Sequence, residues 1–340
     1  MRLESEVSPL LSDRSYRFEI RAPDANKDFI ILENTLHIIR ESLNKVYPHV
    51  PDYKISPPDF FLVRSLSEEQ RRVVDAKLAS FYAQRSVAQQ EIIATVPIKE
   101  SFEKMIFLPS VFQEAGIPLS LSDLPFDKAC GEWAGKPRVF WVRESVAMRL
   151  VVLGEALSKA GLYFHIEDAF RPIGVQEGLF KRRVNWILNE HSDWDWEAVL
   201  TEAKSKTAVS PRLASHKSGA AIDITLRRIS DGSPLDLGNK YPEGGALVAI
   251  DCPFVTAEQW RTRQIFANSF RMAGFAIYSG EDWHASYSDN LAGVSDDRVI
   301  EGYNAAYGPI KEFSLESGEI LAVYHEDEYD KVFLERQEGI

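Results

Sequence analysis

The sequence predicts an α+β fold in which a central, mainly antiparallel sheet is flanked by helices. Short apolar or alternating runs, which indicate strands, lie between longer segments whose apolar residues recur every three or four positions, as in helices. The predicted strands cover residues 138–142, 162–168, 220–226 and 275–278. Periodicity alone leaves an α/β fold open, and the preference for a mainly antiparallel sheet comes from motifs described below.

Three helices are predicted with defined ends. Ser67 has the side chain of a helix N-cap, two glutamates follow it, and Pro97 stands beyond the end, which indicates a helix over 68–93. The spacing of its apolar residues predicts one buried side, formed by Val74, Leu78, Phe81 and Tyr82. The other two helices are predicted over 144–159 and 258–273, and they end before Gly161 and Gly274.

The balance of charge argues against a nucleic-acid partner. The 340 residues are 45% hydrophobic, which is typical of a folded protein with a large core in one domain or two. The chain has 51 acidic against 39 basic side chains, which gives a net charge of −12. Because binding to a phosphate backbone requires a basic surface, a short peptide or another small molecule is the expected partner.

The sequence shows no pattern of a targeting or membrane-spanning segment. The opening residues 1–6 include acidic side chains at the place where a secretory signal has a basic start followed by an apolar run. No stretch approaches the roughly 18 consecutive apolar residues that a membrane span needs. We therefore expect a cytoplasmic protein without a membrane partner. The pattern indicates no particular oligomeric state.

The two cysteines, Cys130 and Cys252, lie far apart and in no CxxC pattern. They therefore supply neither a set of thiolate zinc ligands nor a disulfide framework. A metal site in this chain would have to be built from histidine and carboxylate side chains.

Such a set of side chains is present in the second half of the sequence. His216 enters a turn that Gly219 permits, and the predicted strand after the turn carries Asp223 back towards it. His284 would complete three ligands of the kind that zinc takes in catalytic sites, which keep a further position open for water. Glu281 precedes His284 by three residues, where its carboxylate would lie beside the metal and take a proton from water.

These residues also form three motifs in a fixed order. The chain resembles the D-alanyl-D-alanine dipeptidases and D,D-carboxypeptidases of the vancomycin-resistance (VanX/VanY) type over about residues 135–290. The motifs that carry the resemblance are Asp168-Ala169-Phe170-Arg171-Pro172, then His216-x-x-Gly219-x-Ala221-x-Asp223, then Glu281-x-Trp283-His284.

The resemblance implies a role for five residues. His216, Asp223 and His284 would bind one zinc ion, and Glu281 would serve as the general base and acid. Arg171 would stabilise the negative charge that develops on the scissile carbonyl, which is the kind of fixed charge that contributes most to acyl transfer. The resemblance also implies the α+β fold with the zinc site in a cleft of a mainly antiparallel sheet.

An alternative for Arg171 is an ion pair with Asp168, three residues before it. The two interpretations are compatible, because Asp168 would then orient the guanidinium. We therefore include Asp168 among the candidate substrate-binding residues.

Two positions depart from the family pattern. The family usually has a serine two residues before the first zinc histidine, whereas this chain has Ala214 there and Ser215 one place later. The dipeptidases also carry an aspartate that holds the free amine of the substrate, at a position that Pro242 occupies here. Ser215, next to Ala214, and Glu243, next to Pro242, are the candidate replacements for the missing serine and aspartate. The reaction type is therefore better supported than the substrate.

The expected organisation has three parts. Residues 1–130 form an N-terminal extension of mixed helical character, residues 131–290 form the zinc peptidase domain, and residues 291–340 form an extension that packs on the core. The extensions either wall the cleft and select the substrate or only enlarge the core or form a dimer interface. A terminal hairpin is expected over 313–324, with Gly318 between its two partly apolar runs.

Three functions remain open on the sequence. The first is a dipeptidase that cleaves a short peptide containing D-amino acids. The second is a D,D-carboxypeptidase or endopeptidase that acts on peptidoglycan stem peptides or on a specialised biosynthetic peptide. The third is a binding protein that keeps the scaffold without catalysis, and it is disfavoured because every ligand and the base are present.

Overall fold

The computed structural model describes residues 20–21, 27–55, 61–62, 67–295 and 298–333. The acidic opening at residues 1–6 lies outside this part of the chain. The helices are α1 (Lys27–Leu43), α2 (Glu68–Ala94), α3 (Leu108–Glu114), α4 (Glu144–Lys159), α5 (Ile173–Glu190), α6 (Trp196–Lys204) and α7 (Ala257–Met272). The first strands are β1 (Ile20–Arg21), β2 (Phe61–Leu62), β3 (Met105–Phe107), β4 (Leu119–Leu121), β5 (Trp141–Arg143), β6 (Leu162–Asp168) and β7 (Ala221–Arg228). The others are β8 (Ala276–Ile277), β9 (His284–Ser286), β10 (Val294–Ser295), β11 (Arg298–Val299), β12 (Ile310–Phe313) and β13 (Ile320–Val323).

Five of the strands form one sheet in the order β4-β6-β7-β9-β8. Four further sheets have two antiparallel strands each, and they pair β1 with β2, β3 with β5, β10 with β11, and β12 with β13. The predicted α+β class is confirmed. The antiparallel direction predicted for the central sheet, and the cleft, stay predictions.

The chain divides into two compact units, each assembled from separate stretches. Of the described residues, those within 1–82, 152–164 and 225–284 form the first unit, and those within 83–151, 165–224 and 285–340 form the second. The boundaries after residues 82 and 151 fall inside α2 and α4, those after 164 and 224 fall inside β6 and β7, and the one after 284 follows the first residue of β9. The organisation expected from the sequence, with limits at 130 and 290, stays a prediction.

In the first unit, the N-terminal end of α2 has the predicted cap. The Ser67 hydroxyl accepts from the Gln70 amide at 3.2 Å, and the Gln70 side chain accepts from the Ser67 amide at 2.9 Å. This reciprocal pair satisfies two amides that the first helical turn leaves free. The predicted apolar side is buried in a cluster that comprises Val74, Leu78, Phe81, Tyr82, Ala246, Leu247, Ala249, Cys252 and Phe254. Helix α1 packs against α7 in the same unit.

In the second unit, the predicted C-terminal hairpin is present and packs on β3. Strands β12 and β13 are antiparallel, and the Met105 amide donates to the Gly318 carbonyl at 2.7 Å. A Cβ on Gly318 would lie 2.0 Å from the Met105 carbonyl oxygen, so this position requires glycine. The hairpin thereby contributes Ile310 to a buried cluster with Met105 and Phe170.

One predicted strand is displaced along the chain. Residues 138–142 were expected to be extended, but β5 covers Trp141–Arg143. Val139 forms only an isolated bridge with Phe170, and the Phe140 carbonyl accepts from the Leu108 amide at 3.0 Å. The Leu108–Phe140 bond continues the register of β3 with β5, but Leu108 is already the first residue of α3, so the ladder covers only residues 105–107 and 141–143.

Cys130 and Cys252 are buried free thiols. Burial raises the pKa of the Cys252 thiol to about 11, so it is uncharged at neutral pH. Across the segments that the structure describes, none of the helices has the length and apolar character needed to cross a membrane.

Candidate metal centre

The structure brings His216, Asp223 and His284 together. One ligand atom of each lies within 4.8 Å of the others, and the three residues are 4%, 1% and 4% exposed. His216 Nε2 and Asp223 Oδ1 are 3.3 Å apart. Two ligands bound tetrahedrally to zinc at about 2.0–2.2 Å are about 3.4 Å from each other, so this pair already has the separation required. Two imidazoles and one carboxylate fit zinc, and three protein ligands leave one position open.

The turn that carries His216 depends on Gly219. Residues 215–218 form one turn of 3₁₀ helix, and Gly219 ends it with φ at +72°. A Cβ at this position would lie 2.6 Å from both Sδ and Cε of Met105. The glycine predicted for the turn is therefore required both by its backbone conformation and by the neighbouring Met105 side chain.

A backbone carbonyl fixes the tautomer of His216, that is, which ring nitrogen carries the hydrogen. The Nδ1 atom lies 2.7 Å from the Ala169 carbonyl oxygen, which is able only to accept. The ring must therefore donate from Nδ1, and in the neutral form Nε2 is then the nitrogen that would bind a metal ion. Ala169 lies in the motif around Arg171, so that motif orients the first ligand as well.

A chain of alternating charges holds Asp223. Its Oδ1 faces His216, while its Oδ2 accepts from Arg171 Nη2 at 3.0 Å. Arg171 Nε also donates to Asp168 Oδ2 at 2.7 Å, and the same oxygen lies 2.6 Å from Arg138 Nη1. The predicted ion pair of Arg171 with Asp168 is thus present. Contact with the metal-site carboxylate was not foreseen, and it makes Arg171 an orienting group for Asp223.

Replacing Arg171 by methionine is expected to weaken zinc binding by about 10- to 100-fold, because groups that orient a metal ligand typically contribute that much. The measurement is a competition titration of the apo protein against a chromophoric zinc chelator. Arg182→Met is the matched control, since Arg182 forms an ion pair with Asp127 at 2.6 Å but is 55% exposed. Equal affinity in the Arg171 variant and in the wild type would show that Asp223 needs no such support.

Glu281 lies beside His284, the third candidate ligand, and is outside the group of three. His284 is the first residue of β9, and its Nδ1 is 3.8 Å from Glu281 Oε2. The Glu281 side chain is 38% exposed, whereas the His284 side chain is 5% exposed. A carboxylate placed next to a buried ligand and open to solvent has the position that a proton acceptor requires.

Ser215 and Glu243 lie in different settings. Ser215 begins the turn of His216, and its carbonyl accepts from the Ser218 hydroxyl at 2.6 Å. Glu243 is exposed, and its amide donates to the Lys240 carbonyl at 2.7 Å. Of the two proposed replacements, only Ser215 is next to a ligand. The roles of both in binding substrate stay predictions.

Lys217 is fully buried directly after the first ligand. Its Nζ lies 5.1 Å from the centre of the Phe170 ring and 5.8 Å from that of Tyr324, and within the described residues it has no hydrogen-bond partner. Burial lowers the pKa of this amine to about 7. This residue was not among those predicted to form the site.

Replacing Lys217 by methionine is expected to raise the free energy of unfolding by about 1–2 kcal/mol, because an unsatisfied buried polar group costs about that much and methionine has a similar length. Urea denaturation of the zinc-free protein is the measurement. Lys159→Met is the control, since Lys159 is 45% exposed in a pair with Glu155, and its change should stay within about 0.5 kcal/mol. A destabilised Lys217 variant would contradict the expectation.

A buried arginine supports the turn of His216. Arg143 has no exposed surface, and its Nε donates to the Ser218 carbonyl at 2.7 Å. Its Nη1 forms an ion pair with Glu100 at 3.0 Å and donates to the Glu103 carbonyl at 2.8 Å. The guanidinium also donates to the Gly308 carbonyl at 3.4 Å. Arg143 therefore joins separate segments of the second unit behind the turn.

A second buried arginine lies in the first unit, beside the segment of Glu281. Arg263, on α7, is 1% exposed and forms an ion pair with Asp282 at 2.9 Å. The sequence does contain a signal for it, because Arg263 is three positions from both Trp260 and Phe266 on the apolar face of the predicted helix. A charged residue at such a position needs a buried partner.

Comparison with known proteins places these residues in a family. The profile of the family described as D-ala-D-ala dipeptidase matches residues 133–304, which is half of the chain. The chain belongs to the D-ala-D-ala dipeptidase family. His216, Asp223, Glu281 and His284 all lie within the part that matches this family, as does Arg171.

A solved structure also matches this member of the D-ala-D-ala dipeptidase family over part of its length. A crystal structure of a mutant of the vancomycin resistance D,D-pentapeptidase VanY in complex with Zn(II) is 18% identical, with a TM-score of 0.29. The match covers 51% of this chain and 88% of that one. None of the curated proteins compared with the chain matches it.

Proposed function

We propose that this chain is a zinc-dependent peptidase that hydrolyses a short peptide containing D-amino acids, as a D-Ala-D-Ala dipeptidase does. The observation that carries the proposal is the buried group of His216, Asp223 and His284 with the carboxylate of Glu281 beside it. Membership of the D-ala-D-ala dipeptidase family supports the same reaction.

In this proposal His216, Asp223 and His284 hold one zinc ion. When bound in a site of this kind, zinc polarises a carbonyl group and lowers the pKa of water to about 7. The Ala169 carbonyl sets the tautomer of His216, and Arg171 donates to Asp223. These two bonds orient two of the proposed ligands in the metal-free protein.

In this proposal two side chains of the protein take part in the reaction: Glu281 transfers a proton, and Arg171 stabilises negative charge. Glu281 accepts a proton at its carboxylate and returns it to the leaving amine, because it is the carboxylate beside the ligand group that solvent reaches. Arg171 holds its positive charge between Asp168 and Asp223, and we propose that it also stabilises negative charge on the scissile carbonyl.

The second candidate is a D,D-carboxypeptidase or endopeptidase acting on peptidoglycan stem peptides or on a specialised biosynthetic peptide. One observation favours it. Pro242 occupies the position where the resemblance places the amine-binding aspartate, and the adjacent Glu243 is exposed. An enzyme without that carboxylate has no need of a free amine on its substrate.

The test measures zinc content and turnover on matched substrates. Purified protein is expected to hold one zinc ion per chain and to cleave D-Ala-D-Ala but not L-Ala-L-Ala, with activity lost on chelation and restored by zinc. Equal cleavage of N-acetyl-D-Ala-D-Ala would select the second candidate, because blocking the amine abolishes turnover by an amine-dependent enzyme. Absence of stoichiometric zinc, or zinc without turnover of any of these or of stem peptides, would overturn the assignment as a peptidase.

A further inference from the structure

Asp282 separates the proposed base from the third ligand. It lies next to Glu281 and two residues before His284, and it has no exposed surface. Its Oδ2 lies 2.9 Å from Arg263 Nη2 and accepts from Asn239 Nδ2 at 2.5 Å. The short segment that carries Glu281 and His284 is therefore anchored at its middle by a buried carboxylate.

Arg263, the partner of Asp282, is held by three further hydrogen bonds. Arg263 Nε donates to the Leu237 carbonyl at 2.8 Å, and the two Nη atoms donate to the carbonyls of Ala249 and Leu247 at 2.6 and 3.0 Å. One planar guanidinium thus binds three backbone carbonyls of residues 237–249 and the carboxylate of Asp282. Its position cannot change without breaking several bonds.

Residues 237–249 contact the 281–284 segment a second time. The rings of Tyr241 and Trp283 pack edge to face, with 5.3 Å between their centres. Asn239, which donates to Asp282, belongs to the same stretch. The two segments therefore share a hydrogen bond and an aromatic contact, and Arg263 on α7 bonds to both of them.

Stability alone does not account for a charge at this place. Burying an ion pair removes two charges from water, and well-packed apolar side chains are often as stabilising. The ion pair differs from an apolar contact because it fixes direction and distance. Its bonds fix the position of Asp282, and with it the path of the backbone between Glu281 and His284.

We propose that Asp282 is a positioning residue for the metal centre. Through Arg263 and Asn239 it fixes the 281–284 segment against residues 237–249, and so sets where the Glu281 carboxylate and the His284 ring stand. The part of the inference that concerns turnover rests on the proposed function. The part that concerns ligand geometry rests only on the proposed metal site.

The test compares Asp282→Ala and Asp282→Asn with the wild type. The readouts are the visible spectrum of the cobalt-substituted protein, zinc affinity by chelator competition, and kcat and KM separately. Asp282→Ala is expected to change the cobalt spectrum, to weaken zinc binding by about tenfold or more, and to lower kcat by at least about tenfold with KM changed less. Asp282→Asn keeps an acceptor for Arg263 and should restore part of each loss.

Asp236→Asn is the matched control. Asp236 lies just before the same stretch, where it accepts from the Gly238 amide and from Gln259, without contact to Asp282. It is expected to leave the cobalt spectrum and kcat as in the wild type. If Asp282→Ala does not fold, Asn239→Ala takes its place, because it removes one bond and keeps the ion pair.

A variant that is less stable but has the wild-type cobalt spectrum, zinc affinity and kcat would overturn the proposal, since Asp282 would then be structural only. Wild-type values in both Asp282→Asn and Asn239→Ala would do the same. If the wild type binds cobalt but cleaves none of the peptides, the spectrum and the zinc affinity decide alone. Failure of the peptidase assignment is thus distinguishable from failure of this inference.

Discussion

Replacing Glu281 by glutamine is expected to lower kcat by about 10²- to 10⁴-fold, the usual contribution of a general base. The amide has nearly the same shape but cannot accept the proton. Zinc should stay bound, because Glu281 stands outside the ligand group and 3.8 Å from His284. Steady-state kinetics on the substrate that the wild type cleaves, with zinc content measured in parallel, is the check.

The control for this variant is Glu258→Gln, which changes an exposed carboxylate that pairs with Arg228 at 3.3 Å. Its kcat should equal that of the wild type. Full hydrolysis by the Glu281 variant would remove the residue from the mechanism. Loss of zinc together with activity would instead make Glu281 a ligand.

Replacing Arg143 by methionine is expected to lower the free energy of unfolding by about 3–5 kcal/mol, which is typical when one partner of a buried ion pair is removed. Glu100 would stay buried with an uncompensated charge, and the carbonyls of Ser218, Glu103 and Gly308 would lose their donor. This is a large part of the roughly 5–15 kcal/mol that stabilises a typical domain. Urea denaturation with zinc-free protein measures it.

The double variant Arg143→Met with Glu100→Leu separates the two causes. It removes both charges, so it should recover part of the lost stability, because a pair of apolar groups is often tolerated in place of a buried ion pair. A double variant no more stable than Arg143→Met would assign the loss to the three backbone carbonyls. A single variant as stable as the wild type would contradict the role of Arg143.

Local patterns were sufficient to predict three of the described helices and their ends. The N-cap at Ser67 and the helices that begin at Glu144 and Ala257 depend on residues a few positions apart, and each appears within about a residue of its predicted limit. The start of β5 was displaced, because it depends on partners in α3 and in the Phe170 segment that are distant in sequence. Hydrophobic periodicity does not record such pairings.

The same division applies to the metal centre. The turn between His216 and Asp223, together with the family resemblance that added His284, predicted that these three side chains meet, and they lie together in the structure. Their role as zinc ligands stays a prediction. The contact of Arg171 with Asp223 joins residues 52 positions apart, and no local pattern indicates it. The spacing of Arg263 within its helix indicates that it is buried, but the partners of Arg143 and Arg263 could not be predicted, for a related reason. Their partners are mostly backbone carbonyls, which carry no mark in the amino-acid sequence.

Some partners of Arg143 lie outside the part of the chain that matches the family. Glu100 and Gly308 lie outside residues 133–304, and so do Met105 and Gly318, which bring the C-terminal hairpin onto β3. A fragment excised at the limits of the family match would keep every proposed zinc ligand. It would lose the counter-charge behind the His216 turn and the side chain that packs on Gly219. Transferring this site to another protein would therefore also require the flanking segments that contain Glu100, Met105 and Gly308.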